Sequence, residues 1–383
     1  MKSNDIKTTR ILIIGAIYNP AFSGAGYMLQ LLLKSRFAVI FILMHINTRF
    51  VNSLSDLEKC HVKKLFLFFK YTFCLLYNLL FNKPDYVILN PAFNRNAFIK
   101  DSIYHLMCVN LGRCKVIWWS HAWGLRRFYD ESGKLMRMYI KYVVKSVHRV
   151  VTSGNRQNND FDFLVTNTSL KVIHHGIPSH AYPVKTQKNR KTIQVLYFAN
   201  FDEYKGWRIL FKAAEQICSQ NKGVNFNFYG NPAGDCSLDE IHKCFENTKF
   251  RDRIIFHGPA YGSKKYDAFS SADIFCFPTF FPAETFGIVN LEAMNAGLAI
   301  IATDHANIPE IVINEHGGLI IPKNDVNALS KAIIKLAGDH NLRHQMELYN
   351  QRRFAEFYSL NDFERGWIDF IKELDEEKTS KVN

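Results

Sequence analysis

The chain of 383 residues carries eight cysteines, Cys60, Cys74, Cys108, Cys114, Cys218, Cys236, Cys244 and Cys276, yet has no C-x-x-C pair and no zinc-type grouping. That spacing excludes a zinc ribbon or a dithiol redox centre and predicts reduced core thiols in a cytoplasmic protein. No apolar run reaches the ~20 residues a spanning helix needs. The longest candidate, Leu65 to Phe81, is interrupted by Lys70 and Asn78 and ends at Lys83-Pro84, so no transmembrane helix is expected. Lys2 to Arg10 is polar and charged, without the order or cleavage site of a secretory signal, so export is not expected either. A full dinucleotide fingerprint is also missing. Gly24-Ala25-Gly26 opens a G-x-G, but Leu29 stands where the third glycine would have to be.

What is present is positive charge. Lys and Arg number 48 against 35 Asp and Glu, a net +13, which favours an anionic partner: a phosphorylated substrate, an acidic membrane surface or a nucleic acid. No nucleic-acid motif accompanies the charge, so that partner is not expected. A composition 48% hydrophobic and 22% charged is that of a folded globular protein. The length allows two domains, each with its own core.

Short apolar runs alternate with helical patterns, the signature of doubly wound parallel sheets. Ile11–Ile17 reads as a buried strand, Tyr18–Ser23 as a loop, Gly24–Ser35 as a helix and Phe37–Met44 as a second strand. Pro84–Asn90, Lys115–Trp119, Arg149–Ser153 and Lys171–Pro178 supply further strands of a first domain, residues 1–178. Residues 179–192, with Pro183 and the basic cluster Lys185, Lys188, Arg190 and Lys191, read as a linker. Residues 193–357 repeat the α/β pattern from Gln194–Ala199 onward, and 358–374 form a C-terminal helix whose Phe363, Trp367, Phe370 and Ile371 recur at helical spacing. Asp375 to Asn383 is charged and expected to fray.

Two segments of the first domain carry alternative readings. Val62–Phe81, a long aromatic helix with Lys63, Lys64, Lys70 and Lys83, fits a crossover helix covering the sheet or an interfacial membrane helix. Leu125–Val147 reads as a helix whose Arg126, Arg127, Lys134, Arg137, Lys141 and Lys145 form either a solvated face or a basic stripe for anionic lipid or a phosphorylated acceptor. Asp160-Phe161-Asp162 reads as a surface loop, and His121 falls where a strand meets a loop, the edge at which such sheets bind ligands.

The stretch from Phe280 to Thr303 demands a chemical explanation. Glu284 lies in a Pro-containing loop, Gly287 lets the chain turn into a helix with Leu291, Met294 and Leu298 on its apolar face, and Glu292 is placed about two turns in. The helix start attracts an anion, most often phosphate. At ~1.5 Å rise per residue the two acids lie up to ~12 Å apart, one on either side of it. Each carboxylate accepts hydrogen bonds from neighbouring hydroxyls.

Glu284-x7-Glu292, set in Glu-Thr-Phe-Gly-Ile-Val-Asn-Leu-Glu-Ala-Met and followed by Gly297, resembles the hallmark of the retaining glycosyltransferases of family 4. The resemblance implies the GT-B fold, two doubly wound Rossmann-like domains facing a cleft, with the C-terminal helix returning to the first domain. It implies a nucleotide-sugar donor, UDP- or GDP-linked, bound mainly by the second domain, and a saccharide or lipid-linked saccharide acceptor at the first. It implies further that the enzyme retains anomeric configuration, uses neither cofactor nor metal, and serves cell-surface polysaccharide synthesis from the cytoplasm or the inner face of the membrane. The second domain has no Asp-x-Asp motif.

Residue by residue, the resemblance assigns Glu284 to sugar hydroxyls, Glu292 to ribose hydroxyls, and Lys205 with the amides of Phe286, Gly287 and Ile288 to the leaving diphosphate. His121 would approach the sugar from the first domain, Gly24-Ala25 stands where the family usually has Gly-Gly near the donor phosphate, and Ala260 lies in the loop that meets the base. One departure matters: where the family has Arg, this chain has Asn200, which donates a hydrogen bond but offsets no charge. A sugar-nucleotide epimerase of the same fold and a noncatalytic sugar- or partner-binding protein are the rival readings, and Asn200 is the support for the second.

Overall fold

The structure is a computed structural model that describes residues 9–18, 24–50, 61–166, 169–182, 192–220 and 223–380. Cys60, most of the Tyr18–Ser23 loop and the basic cluster of the expected linker lie outside the described residues. Two compact units divide the chain: Met1–His175 with Leu360–Asn383, and Gly176–Ser359.

The first unit is a parallel sheet of β1 (Arg10–Ile14), β2 (Ile42–Ile46), β3 (Tyr86–Leu89), β4 (Lys115–Trp119), β5 (Arg149–Thr152) and β6 (Leu170–Val172), in the order β2-β1-β3-β4-β5-β6. Its central strands are buried on both faces, which is why they read as unbroken apolar runs. The connecting helices are α1 (Gly24–Leu33), α2 (Phe37–Ile40), α3 (His61–Tyr77, continued by a π-helical turn Asn78–Asn82), α4 (Arg95–Asn110), α5 (Leu125–Glu131), α6 (Lys134–Lys145) and α7 (Asn155–Asn158). Leu12, Ile14, Val87, Leu89, Val116, Trp118 and Val150 form one sheet face, and α3, α4 and α6 pack on it.

Several sequence expectations are corrected here. The strand expected over Phe37–Met44 is a turn of helix followed by β2: the Ser35 hydroxyl accepts from the Phe37 amide at 3.2 Å, the Ser35 carbonyl accepts from Ala38, and Phe37 is fully buried. An apolar run this short is ambiguous by periodicity alone. Leu125–Val147 is two helices, broken at Ser132-Gly133. Asp160-Phe161-Asp162 is no surface loop, because Asp160 is buried and its carboxylate accepts the amides of Gly124, Leu125 and Arg126 at 2.7–3.0 Å, capping α5. The helix through Val62–Asn82 is 21 residues, long and apolar enough to cross a membrane, where the interrupted sequence run falls short.

The second unit orders β7 (Ile193–Phe198), β8 (Val224–Tyr229), β9 (Ile254–Phe256), β10 (Ile274–Phe277), β11 (Ala299–Thr303) and β12 (Gly318–Ile321) as β12-β11-β10-β7-β8-β9, all parallel. Its helices are α8 (Trp207–Gln220), α9 (Leu238–Asn247), α10 (Ser263–Ser271), α11 (Ile288–Asn295), α12 (Ile308–Ile311), α13 (Val326–Gly338) and α14 (His340–Phe357). Phe201, Trp207, Phe228 and Phe245 pack ring against ring in the core beside β7 and β8. Ser179 to Tyr182, expected in a linker, belong to this unit: the His180 ring stacks on Tyr266 at 3.7 Å.

The last helix, α15 (Leu360–Ser380), is part of the first unit. Trp367 packs edge-on against Phe37 and Trp119, burying the stripe whose spacing marks the helix in the sequence. The expected fraying from Asp375 is not found. Asp375 accepts from Thr9 at 2.6 Å and Tyr86 at 2.9 Å, Glu377 pairs with Arg149 at 2.7 Å, and Lys378 with Asp85 at 2.9 Å, so the charges fasten the helix through Ser380.

Candidate functional site

In the second unit the strand order reverses between β7 and β10, and the crevice beyond the strand ends at such a reversal is where doubly wound sheets take ligands. The loop after β7 delivers Lys205 to that point. Asp202 accepts from the Tyr204 amide at 2.9 Å and starts one 3₁₀ turn, and Gly206 closes it at φ 77. A Cβ on Gly206 would lie 2.0 Å from the Pro278 carbonyl oxygen, so only glycine lets this loop press against the end of β10.

The loop after β10 is tied to the same place. Phe280 donates to the Tyr204 carbonyl at 2.7 Å, Thr303 bonds the Thr279 carbonyl, and the His305 ring lies 2.7 Å from the Phe281 carbonyl oxygen. These bonds hold Glu284 so that its carboxylate takes a hydrogen bond from Lys205 at 2.7 Å. With side chains only 21% and 11% exposed, the pair is shielded from water, which strengthens it relative to a surface ion pair.

From Glu284 the chain passes Phe286, which is buried, and Gly287 at φ 68, then enters α11. The N–H groups of a first helical turn have no partner within the helix, so Phe286, Gly287 and Ile288 lead into an anion-favouring start. Glu292 is the fifth residue of an eight-residue helix, in its second turn rather than two turns deep. Leu298 lies past its end, its amide bonded to the Ala293 carbonyl at 3.0 Å. Glu292 is buried, and burial raises its carboxyl above the ordinary range, partly offset by Lys265. One carboxylate oxygen accepts from Lys265, and the other has no partner among the described residues. The side-chain amide of Asn290, fully buried two residues earlier, also has none among the described residues.

Lys265 is the residue that sequence reasoning missed. It sits on α10, five residues past the buried Ala260 and just after Gly262 turns the chain at φ 57. Its only sequence signal is a Lys-Lys pair at a helix start, which usually means solvated charge. Asn200 is half-buried, with its carbonyl accepting from the Tyr197 hydroxyl at 3.1 Å. Lys205, Glu284, Phe286, Gly287, Ile288, Glu292, Asn200 and Ala260 therefore all lie in the second unit.

His121, Gly24 and Ala25 lie in the first unit. A cavity at the ends of β1, β3 and β4 is lined by Gly15, Ala25, Gly26, Asn90, Trp119 and His121. Gly24, which opens α1, is exposed and does not line it. The His121 ring stacks on His175 at 5.2 Å, and burial brings its pKa down to about 3, so the imidazole is neutral.

Residues 179–353 match the family model of glycosyl transferases group 1. The match spans most of the second unit and just under half of the chain. Among curated relatives, an uncharacterized 41.2 kDa protein in the cps region of Klebsiella pneumoniae is 20% identical over 76% of this chain and 78% of its own. The capsular polysaccharide biosynthesis glycosyltransferase CapM of Staphylococcus aureus is 24% identical over 59% of this chain and 60% of its own length. Among solved structures, sucrose-phosphate synthase from Thermosynechococcus elongatus superposes with a TM-score of 0.75 at 17% identity, covering 96% of this chain and all of that one. Anabaena HepE in complex with UDP-glucose gives 0.71 at 15% identity, covering 95% of this chain and 99% of that one. These likenesses establish the GT-B fold, two Rossmann-like α/β units.

Proposed function

We propose that this chain is a retaining, metal-independent glycosyltransferase of family 4 that moves a hexosyl group from a UDP- or GDP-sugar to a saccharide or lipid-linked saccharide, in the assembly of a cell-surface polysaccharide. The observation that carries this reading is the Lys205–Glu284 pair at the β7/β10 reversal, with Glu292 across the start of α11. CapM is named for capsular polysaccharide biosynthesis and HepE is a complex with UDP-glucose, which makes UDP-glucose the first donor to try. Free buried thiols such as Cys108 and Cys276 fit a cytoplasmic location.

On this reading Lys205 and the amides from Phe286 to Ile288 hold the diphosphate, and Glu292 accepts the ribose hydroxyls with the oxygen that has no partner among the described residues. Glu284 accepts from the sugar, and its charge is balanced by the same Lys205 that faces the phosphate. Lys265 supplies a second cation beside the nucleotide, which offsets the charge missing at Asn200. The acceptor oxygen forms its bond to the anomeric carbon on the face from which the phosphate oxygen departs, and that oxygen takes the acceptor proton. For His121 and Ala25 of the first unit the family resemblance implies a role toward the donor. No side chain is needed as nucleophile; positioned positive charge stabilises the departing diphosphate.

Titration calorimetry with UDP and UDP-glucose, followed by assay of sugar release and transfer, tests the reading. Glu284→Gln is expected to abolish most turnover while weakening donor binding only modestly, and Glu292→Gln to weaken nucleotide binding about tenfold. The reverse pattern would exchange the two ends of the donor. Binding without turnover in the unmodified protein would favour a noncatalytic sugar-nucleotide binder, the alternative that Asn200 supports.

A further inference from the structure

We infer that one face of the first unit is a docking surface for an anionic lipid bilayer, with α3 and α6 lying flat in its interface. The proposal is independent of the reading of the site. Both helices turn one side to the sheet: Tyr71, Leu75 and Leu79 from α3, and Ile140, Val143 and Val144 from α6, join a single core, with α4 packed between them. Their other sides carry large apolar residues that stand exposed among the described residues. Phe66 is 69% exposed, Phe69 61%, Phe73 72%, Leu135 83% and Met138 59%. Tyr77, Leu80 and Phe81 at the end of α3 and Tyr142 on α6 extend the same character. Scattered apolar residues on a surface need no explanation, whereas a run of phenylalanines on one helix does.

Charge decides the occupant. Neither His61–Asn82 nor α6 contains an Asp or Glu, while Lys63, Lys64, Lys70, Lys134, Lys141 and Lys145 stand among the aromatics. Among the described residues, Lys63, Lys70, Lys134 and Lys145 have no carboxylate partner. Arg137 is different: its guanidinium bonds the Tyr129 carbonyl at 3.0 Å and closes α5. Arg126 and Arg127 pair with Asp162 and Glu131. A second copy of the same face would bring lysines against lysines, but a sheet of anionic headgroups over hydrocarbon satisfies both the ammonium groups and the rings.

The bilayer is met from the side rather than crossed. Val62–Asn82 is long enough to span, yet spanning would strip Tyr71, Leu75 and Leu79 from the core and break the Tyr71 hydroxyl's bond to the Arg49 carbonyl at 2.8 Å. Lys70 in mid-helix would also enter hydrocarbon. Lying flat keeps every one of these contacts.

Flotation of the purified full chain with vesicles of phosphatidylcholine alone, or with added phosphatidylglycerol, tests this. The unmodified protein is expected to float with the anionic vesicles, less so at high salt, and to be released by alkaline carbonate. Combining Phe66→Ser, Phe69→Ser and Phe73→Ser should lower partition at least about a hundredfold on both vesicles. Combining Lys63→Gln, Lys70→Gln, Lys134→Gln and Lys145→Gln should cost about fivefold per lysine on anionic vesicles only. All seven side chains are on the surface, and unchanged melting of the variants shows that the unit is folded. Absence of flotation by the unmodified protein, full flotation of the triple Phe variant, resistance to carbonate, or conversion of a dimer to a monomer by the Phe changes would each overturn the proposal.

Discussion

The two units bury opposite kinds of titratable group at their strand ends. The first encloses a base, the half-buried His121, stacked on the buried His175; the second buries an acid, Glu292, with Lys265 at one of its oxygens. Burial favours the neutral form in both, lowering the pKa of His121 and raising that of Glu292. The difference is the partner. Around the second unit's strand ends the chain provides lysine for each glutamate, an arrangement that can hand its positive charge to a phosphate, whereas the cavity of the first unit is lined by neutral groups. On the proposed reading, the charged half of the donor belongs to the second unit.

The largest test of that division is in turnover. Lys205→Ala should lower kcat at saturating donor by about 10²–10³, the cost of removing one preorganised group that stabilises developing charge, while His121→Ala should cost about tenfold. Equal losses would erase the distinction between the units. Next comes backbone strain. Gly206→Ala should destabilise by about 2–3 kcal/mol in denaturant unfolding, since the new Cβ meets the Pro278 carbonyl at a positive φ. Gly133→Ala in the first unit has open space and an ordinary φ of −70, and should stay within about 0.5 kcal/mol.

The smallest effect is in the pH dependence of melting, and its two parts have opposite sign. His121 binds fewer protons folded than unfolded between its ordinary 6.5 and about 3. Its contribution is present above 6.5 and is lost as pH falls through that window. Glu292 holds its proton longer folded than unfolded, so its contribution is present below its ordinary 4.5 and is lost as pH rises through its raised value. Melting curves of His121→Gln should show a shallower acid limb, and those of Glu292→Gln a shallower decline on the way up from acid. Identical profiles for both variants and the unmodified protein would break the comparison.

Several elements were legible because their physics is local. Buried parallel strands need unbroken apolar runs, so the strand read over Lys115–Trp119 coincides with β4. Glycine frees the chain for positive φ, so Gly287, read as the turn into a helix, marks one loop of the candidate site. Phe37–Ile40 was not legible, because four apolar residues satisfy a strand and a helical turn equally and the Ser35 cap with the burial of Phe37 decides. Asp160 was misread for a related reason: a carboxylate in a polar stretch says nothing of three amides that arrive from 34 to 36 residues away.

By itself the sequence determined two parallel α/β units and a Glu-x7-Glu site at a helix start, since strand runs, glycine turns and residue spacing are properties of neighbours along the chain. Only the tertiary structure decided that Lys205 neutralises Glu284, that Lys265 neutralises one side of Glu292, and that the aromatic α3 and the basic α6 share one sheet face. Those pairings join residues 79, 27 and more than 50 positions apart, and strand order, which fixes them, is set by how the helices pack on the sheets rather than by any local pattern.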